Sequence, residues 1–146
     1  MAQATVWTFF YGSNMNLDVL RKVDFVPDVV HVARLHGFDI EIRPLANLVR
    51  SDRGSVYGIL ATGTHDELTR LYGRYVHDEL GATYLPEAVL CEKLDGALVP
   101  ALCYIAPTTE PAPATDEYLD RIVAPARQFG FPEWYLERLE SFRSGG

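Results

Sequence analysis

Apolar and polar positions along the chain follow two periods, and the change of period separates predicted strands from predicted helices. The run TVWTFFY at residues 5–11 is β-branched and aromatic and precedes Gly-Ser-Asn, which is typical of a strand ending in a tight turn. The stretches VVHVARLHGFDIEI and GSVYGILA alternate for part of their length and are also predicted strands. A turn at residues 94–96 is predicted to join TYLPEAVLCEKL and ALVPALCYIA as a strand pair.

Helical spacing of apolar residues predicts helices between and after these strands. Asn16 is a predicted N-cap of a short first helix. Thr64 and Glu67 have the spacing of a capping box, so HDELTRLYGRYVHDEL is predicted to be wholly or partly helical. A Pro-rich connector, PTTEPAPA, precedes two more predicted helices in DEYLDRIVAPARQFG and PEWYLERLESF. Hairpin-type strands followed by helices indicate an α+β fold, with the sheet curled into a small β-barrel. A doubly wound sheet is the alternative.

The length and net charge of the chain limit the number of domains and the kinds of partner that we expect. The chain has 146 residues, 48% of them hydrophobic, which predicts one domain over residues 1–146. Its net charge of -7 and its lack of Lys/Arg runs argue against a nucleic-acid partner. No apolar run approaches the roughly 20 residues that cross a bilayer, and the first residues lack the pattern of a signal peptide. We therefore expect a cytoplasmic protein with no membrane partner.

The cysteines and histidines predict no metal site. Cys91 and Cys103 are predicted to be reduced core residues, with a disulfide between neighbouring strands as the alternative. The four histidines show none of the usual ligand spacings with each other or with the cysteines.

The turn after the first predicted strand is the first candidate for binding chemistry. Successive backbone N–H groups in such a turn form a concave anion site, and the small residues Gly12, Ser13 and Asn14 would let a ligand come close. An ordinary turn that uses Gly and Asn for their tolerance of positive φ explains the same residues.

Seven features, in order, are similar to those of the γ-glutamylcyclotransferase family, which includes the AIG2-like proteins. FFYGSNMN resembles the family signature, in which an aromatic strand ends in Tyr-Gly-Ser-Asn. The other six are VARLHGFDIEI, ANLVRSDRGSVYGILA, a helix opened by THDELTRL, a strand from Tyr84, ALCYIAP with the Pro-rich connector, and EYLDRIVAPARQFGFPEWYLERL. The resemblance covers nearly the whole chain.

The resemblance implies a small mixed or antiparallel β-barrel with flanking helices and a reaction that needs no metal or other cofactor. The α-amino group of a γ-glutamyl amine or γ-glutamyl amino acid would attack its own γ-carbonyl, giving 5-oxoproline and releasing the amine. Backbone N–H groups of residues 11–14 would bind the glutamyl group or the developing oxyanion. The substrate-binding residues implied are Tyr11, Gly12, Ser13, Asn14, Tyr84, Tyr104 and Tyr118.

The catalytic carboxylate is where the sequence departs from the family. The family's glutamate lies four residues beyond a leucine, and counting four from Leu71 reaches Tyr75, whose phenol is a poor base at neutral pH. A local insertion would move the base to Glu79, which precedes Leu-Gly, or less favourably to Asp78. If neither carboxylate serves, these are solvated residues at a helix end.

Three functions remain open on this basis. The first is a γ-glutamylcyclotransferase-like enzyme with Glu79 as its base and a small γ-glutamyl molecule as its partner. The second is a binding domain that keeps the loop without the base. The third is an interaction domain that uses the aromatic C-terminal helix, with Trp134, Tyr135 and Phe142. Arg34 and Arg43 are either surface residues or a carboxylate clamp. The sequence carries no signal for an oligomeric state.

Overall fold

In a computed structural model, the described part of the chain forms a five-stranded sheet with four α-helices, which confirms the predicted α+β class. The structure describes residues 4–79, 81–107 and 110–143, without the side chains at positions 74, 75, 78 and 79. The strands are β1 (Thr5–Phe10), β2 (Val30–Ile42), β3 (Ala46–Thr64), β4 (Leu85–Lys93) and β5 (Leu98–Ile105). The helices are α1 (Leu17–Arg21), α2 (His65–Arg70), α3 (Asp116–Gln128) and α4 (Glu133–Glu140).

The strands are hydrogen-bonded in the order β1-β3-β2-β4-β5 and form a closed barrel, because β1 also pairs with β5. The β1–β5 pairing is parallel and all the others are antiparallel, so the sheet is mixed. Such an arrangement excludes the doubly wound alternative, in which crossover helices would join parallel neighbours.

β3 is longer than the strand predicted from GSVYGILA, because it also includes residues 46–53. Its first part pairs with the last part of β2, from Phe38↔Arg50 to Ile42↔Ala46. The register shifts between His36 and Phe38, where Gly37 has a φ of 90°. A bulge of this kind bends the strand and increases its twist. It lets one long hairpin wrap around the core.

The predicted Thr64–Glu67 capping box is present at the start of α2. The Thr64 hydroxyl accepts from the Glu67 N–H at 3.1 Å, and the Glu67 carboxylate accepts from the Thr64 N–H at 2.9 Å. Beyond Arg70, the chain continues as a π-helical segment, Leu71–Glu79. The sequence predicted helix here but not this wider winding.

The core combines residues of the barrel and of the C-terminal helices in one apolar cluster. Phe9, Ile59 and Leu60 are fully buried, as are Leu119 of α3 and Leu139 of α4. Cys91 and Cys103 are also buried and are free thiols, so the core reading of the cysteines is correct and the disulfide reading is wrong.

Gly58 is required by close packing inside the barrel. A Cβ at this position would lie 2.3 Å from the carbonyl oxygen of Phe10 and 2.7 Å from the Phe9 ring. The glycine of the VYG stretch therefore lets β3 pack against β1. Among the helices that the structure describes, none is both long and apolar enough to span a bilayer.

Candidate functional site

β1 delivers residues 11–14, here called the loop 11–14, to the start of β3. The last two residues of the loop begin a short 3-10 turn, Ser13–Met15, and Asn16 then caps α1 by accepting from the Asp18 N–H at 2.9 Å. Gly12 packs so closely against β3 that an added Cβ would lie 2.9 Å from the Cβ of Ala46. The loop thus needs a glycine where it touches the opposite wall.

A partly enclosed cavity lies between this loop and the π-helical segment. Its empty space, including the open mouth, is about 380 Å³. The described residues that line it are Phe10, Tyr11, Gly12, Ser13, Asn14, Leu45, Ala46, Tyr72, Val76, Tyr84 and Tyr118.

Two tyrosines hold the backbone of Ala46 at the cavity wall. The Tyr118 hydroxyl accepts from the Ala46 N–H at 3.0 Å, and the Tyr84 hydroxyl donates to the Ala46 carbonyl. Tyr118 comes from α3, and Tyr84 precedes β4. These bonds connect two distant parts of the chain to the residue that packs against Gly12.

A second pair of tyrosines connects the loop 11–14 to β5. The Tyr11 hydroxyl donates to the carbonyl oxygen of Tyr104 at 2.7 Å. Tyr72, from the π-helical segment, stacks on the Tyr104 ring with centroids 3.8 Å apart and planes 10° apart. The ring of Tyr72 is therefore fixed against the barrel on one side while it lines the cavity.

Burial keeps the phenols of Tyr11, Tyr72 and Tyr84 in their neutral form. It raises the pKa of Tyr11, Tyr72 and Tyr84 above the ordinary tyrosine value, with smaller contributions from Cys103 at Tyr11 and Tyr72 and from neighbouring tyrosines at all three. A hydrogen bond from the Asn14 side chain opposes part of this rise at Tyr72. Neutral phenols at pH 7 serve as hydrogen-bonding groups and not as proton-accepting phenolates.

The carbonyl oxygen of the Asn14 side chain is an unused polar group at this site. It is buried, and no hydrogen-bond donor within the described part of the chain reaches it. Buried polar atoms are normally satisfied by protein, water or ligand. Asn14 is thus the described side chain of the loop that retains an acceptor for something bound there.

The predicted site residues are partly brought together. Six of the seven predicted substrate-binding residues line the cavity: Tyr11, Gly12, Ser13, Asn14, Tyr84 and Tyr118. The seventh, Tyr104, contacts it through Tyr72 and Tyr11. Glu79 is the last residue of the π-helical segment, and its side chain lies outside the described part of the structure. The same holds for the side chains of Tyr75 and Asp78.

Sequence reasoning missed Tyr72 and Val76 as lining residues. The four-residue spacing of Leu68, Tyr72 and Val76 was the available signal, because it places them on one side of the continuing helix. Leu45 and Ala46, at the start of β3, carried no comparable signal.

Arg34 and Arg43 do not form a clamp at this cavity. Arg34 lies 2.6 Å from the Glu92 carboxylate, and Arg43 is exposed; neither lines the cavity. Among the described lining residues there is no acidic or basic side chain. Nor do the described residues contain a group of three His, Cys, Asp or Glu that could hold a metal ion.

Solved structures with the same fold include γ-glutamyl cyclotransferases. One named γ-glutamyl cyclotransferase superposes with a TM-score of 0.81 at 21% identity, covering 94% of this chain and 88% of the other. An uncharacterised human protein gives 0.78 at 20% identity, covering 94% and 87%. A yeast γ-glutamyl cyclotransferase specific to glutathione gives 0.68 at 12% identity, covering 99% of each chain.

These likenesses show a γ-glutamylcyclotransferase-like fold, and the identities are too low to show more than the fold. No protein-family model matches the sequence, and no curated protein matches it. The AIG2-like assignment and the family reading of Tyr-Gly-Ser-Asn stay predictions.

Proposed function

We propose that the protein is a γ-glutamylcyclotransferase-like enzyme that binds the γ-glutamyl group of a small amine or amino acid in this cavity. The supporting observation is the cavity between the loop 11–14 and the π-helical segment, in a fold shared with γ-glutamyl cyclotransferases. Its tyrosine walls and backbone groups suit a compact polar ligand with apolar methylenes.

The proposed reaction is an intramolecular aminolysis. The α-amino nitrogen of the ligand forms a bond to its own γ-carbonyl carbon, and the bond from that carbon to the leaving nitrogen breaks. Holding the ligand in a folded conformation accounts for much of the acceleration, because nucleophile and electrophile belong to the same molecule. The products are 5-oxoproline and the free amine.

In this proposal the loop 11–14 carries the anionic part of the ligand. The first hydrogen bond of the 3-10 turn runs from the Met15 N–H to the Gly12 carbonyl at 3.1 Å. The N–H groups ahead of Met15 are therefore not used within the turn, as in the first turn of any helix. Directed at one point, they would bind a carboxylate or stabilise the oxyanion that develops on the γ-carbonyl.

A base must take a proton from the α-ammonium before the nitrogen can attack, and Glu79 is our candidate. It follows Val76, which lines the cavity, in the same π-helical segment. A glutamate held away from water would have a raised pKa and could return the proton to the leaving nitrogen.

The deciding experiment measures 5-oxoproline release from a panel of γ-glutamyl amines and amino acids. We expect release by the wild type and a loss of about 100-fold or more in Glu79→Gln, the usual effect of removing a general base. Asp78→Asn is the matched control, because it neutralises the adjacent carboxylate. Release that is unchanged in Glu79→Gln would remove Glu79 from the mechanism.

The second candidate is a binding domain without turnover. It is favoured by one observation, the lack of an acidic side chain among the described lining residues. If the protein is such a domain, calorimetry will detect binding of γ-glutamyl compounds to the wild type, and none of these compounds will yield 5-oxoproline.

A further inference from the structure

The described walls of the cavity contain no positive charge to receive a second carboxylate. Its described side chains are apolar, hydroxyl or amide groups. Arg34 is engaged with Glu92, at 2.6 Å, on another part of the barrel. In the proposed function the loop 11–14 is the anion-binding element among these described walls, and the ligand's own α-carboxylate or the oxyanion would occupy it.

The aromatic part of the cavity is also a poor place for an anion. The stacked Tyr72 and Tyr104 rings lie 3.8 Å apart, and Tyr84 follows with its centroid 6.1 Å from that of Tyr72. The faces of such rings carry negative electrostatic potential, which attracts cations and repels carboxylates. The Tyr11 and Tyr84 hydroxyl protons are already donated to backbone carbonyls, so they do not compensate.

The charge of the whole protein acts in the same direction. With 20 acidic and 13 basic residues, the chain carries a net charge of -7. A γ-glutamyl amino acid has one net negative charge at pH 7, whereas a γ-glutamyl amine or amide whose leaving group lacks a carboxylate is neutral or positive. The long-range field favours the second kind of ligand.

We infer that the cavity selects γ-glutamyl compounds whose leaving amine carries no carboxylate. This inference rests on the proposed function and specifies its substrate class. Compounds with a free carboxylate on the leaving group, such as γ-glutamyl amino acids and glutathione, are disfavoured because a second buried anion would have no cationic partner among the described lining residues.

A matched pair of ligands tests the inference directly. γ-Glutamyl-alaninamide and γ-glutamyl-alanine differ only in a carboxamide against a carboxylate. We expect kcat/KM to be at least about tenfold higher for the amide, the size expected for one missing charge-assisted hydrogen bond. Equal rates, or faster turnover of the acid, would overturn the inference and leave the proposed function standing.

A variant that supplies the missing cation should abolish this preference. Leu45 lines the cavity and is only partly buried, so Leu45→Arg places a guanidinium at the wall with little repacking. The amide-to-acid ratio should fall about tenfold in Leu45→Arg and stay unchanged in Leu45→Met, which keeps an uncharged long side chain. A ratio that moves equally in both variants would contradict the electrostatic explanation.

Two further outcomes separate this inference from the function on which it rests. If neither ligand is turned over, calorimetric binding of the two ligands is compared, and tighter binding of the amide supports the inference while the enzymatic reaction fails. If neither binds, both proposals fall.

A third outcome would also overturn the inference. If the acid is turned over as fast as the amide, and turnover of the acid is lost in Arg74→Ala, then the π-helical segment supplies the cation that the described walls lack.

Discussion

At the scale of single residues, Gly12 and Gly73 offer a matched pair of substitutions. A Cβ at Gly12 would lie 2.9 Å from the Cβ of Ala46, whereas one at Gly73 would meet no atom within 4 Å. We expect Gly12→Ala to lower the free energy of unfolding by about 1–3 kcal/mol through overpacking and to weaken ligand binding. Gly73→Ala should leave the free energy of unfolding unchanged or raise it by up to about 1 kcal/mol.

Urea unfolding followed by tryptophan fluorescence measures both variants. The prediction is contradicted if Gly12→Ala is as stable as the wild type and binds the ligand with the same affinity. The loop 11–14 could then shift without cost and would not need the close approach to Ala46.

The sequence predicted those cavity residues whose type and whose position directly after a strand both indicated a binding turn. Ser13 and Asn14 follow an aromatic strand and lie at the site, as that pattern indicates. Tyr72 was harder to predict as a cavity residue, because an isolated tyrosine on a helix is more often a core aromatic with a solvated hydroxyl. Its role depends on Tyr104, more than 30 residues away in sequence, against which it stacks.

At the scale of elements, the capping box of α2 controls the segment that carries one cavity wall. Thr64→Ala removes the acceptor of the Glu67 N–H and should lower the free energy of unfolding by about 1 kcal/mol. Since α2 continues into Leu71–Glu79, with Tyr72 and Val76, the KM for the ligand should rise as well. Urea unfolding and steady-state kinetics measure the two effects.

Thr64→Ser is the control for this prediction, because it retains the capping hydroxyl and loses only a methyl group. The capping explanation fails if the alanine and serine variants have the same stability and the same KM.

Element types were more predictable than element lengths and windings. The capping box and the strand–turn–strand pattern of β4 and β5 are local, so the sequence determines them. Ser-Asp-Arg-Gly at residues 51–54 of β3 is typical of a turn and lies at the register shift opposite Gly37, between the segments 46–50 and 55–61 that pair with β2, so the two paired segments keep β3 continuous across it. The π-helical winding likewise has no local sequence signal that separates it from an α-helix.

At the scale of the whole molecule, closure of the barrel depends on pairings that single segments do not specify. β1 pairs with β5 at Thr8↔Leu102 and Phe9↔Cys103, although the two strands lie at opposite ends of the sheet in chain order. β2 and β4 pair only at Ala33↔Lys93 and Arg34↔Glu92 within the described residues. This last pairing, here called the β2–β4 seam, is short and is reinforced by side chains.

Glu92 carries that reinforcement and makes it dependent on pH. Its carboxylate lies 3.2 Å from the His36 ring nitrogen and 2.6 Å from the Arg34 guanidinium. The hydrogen bond with His36, followed by the charge of Arg34, holds the pKa of Glu92 below the ordinary glutamate value. A carboxyl group whose pKa is lower in the folded state stabilises that state above the unfolded pKa of about 4.3. The stabilisation is lost as the pH falls through the folded pKa.

We therefore expect Glu92→Gln to be less stable than the wild type at pH 7, and the difference in urea midpoint to shrink as the pH is lowered from about 5 to below the folded pKa of Glu92. Urea unfolding at a series of pH values measures this difference. Glu110→Gln is the control, because Glu110 is exposed in the connector and should show no comparable difference at any pH. A difference for Glu92→Gln that stays constant down to the lowest pH would mean that the seam depends on packing and backbone pairing, with no contribution from the charge of Glu92.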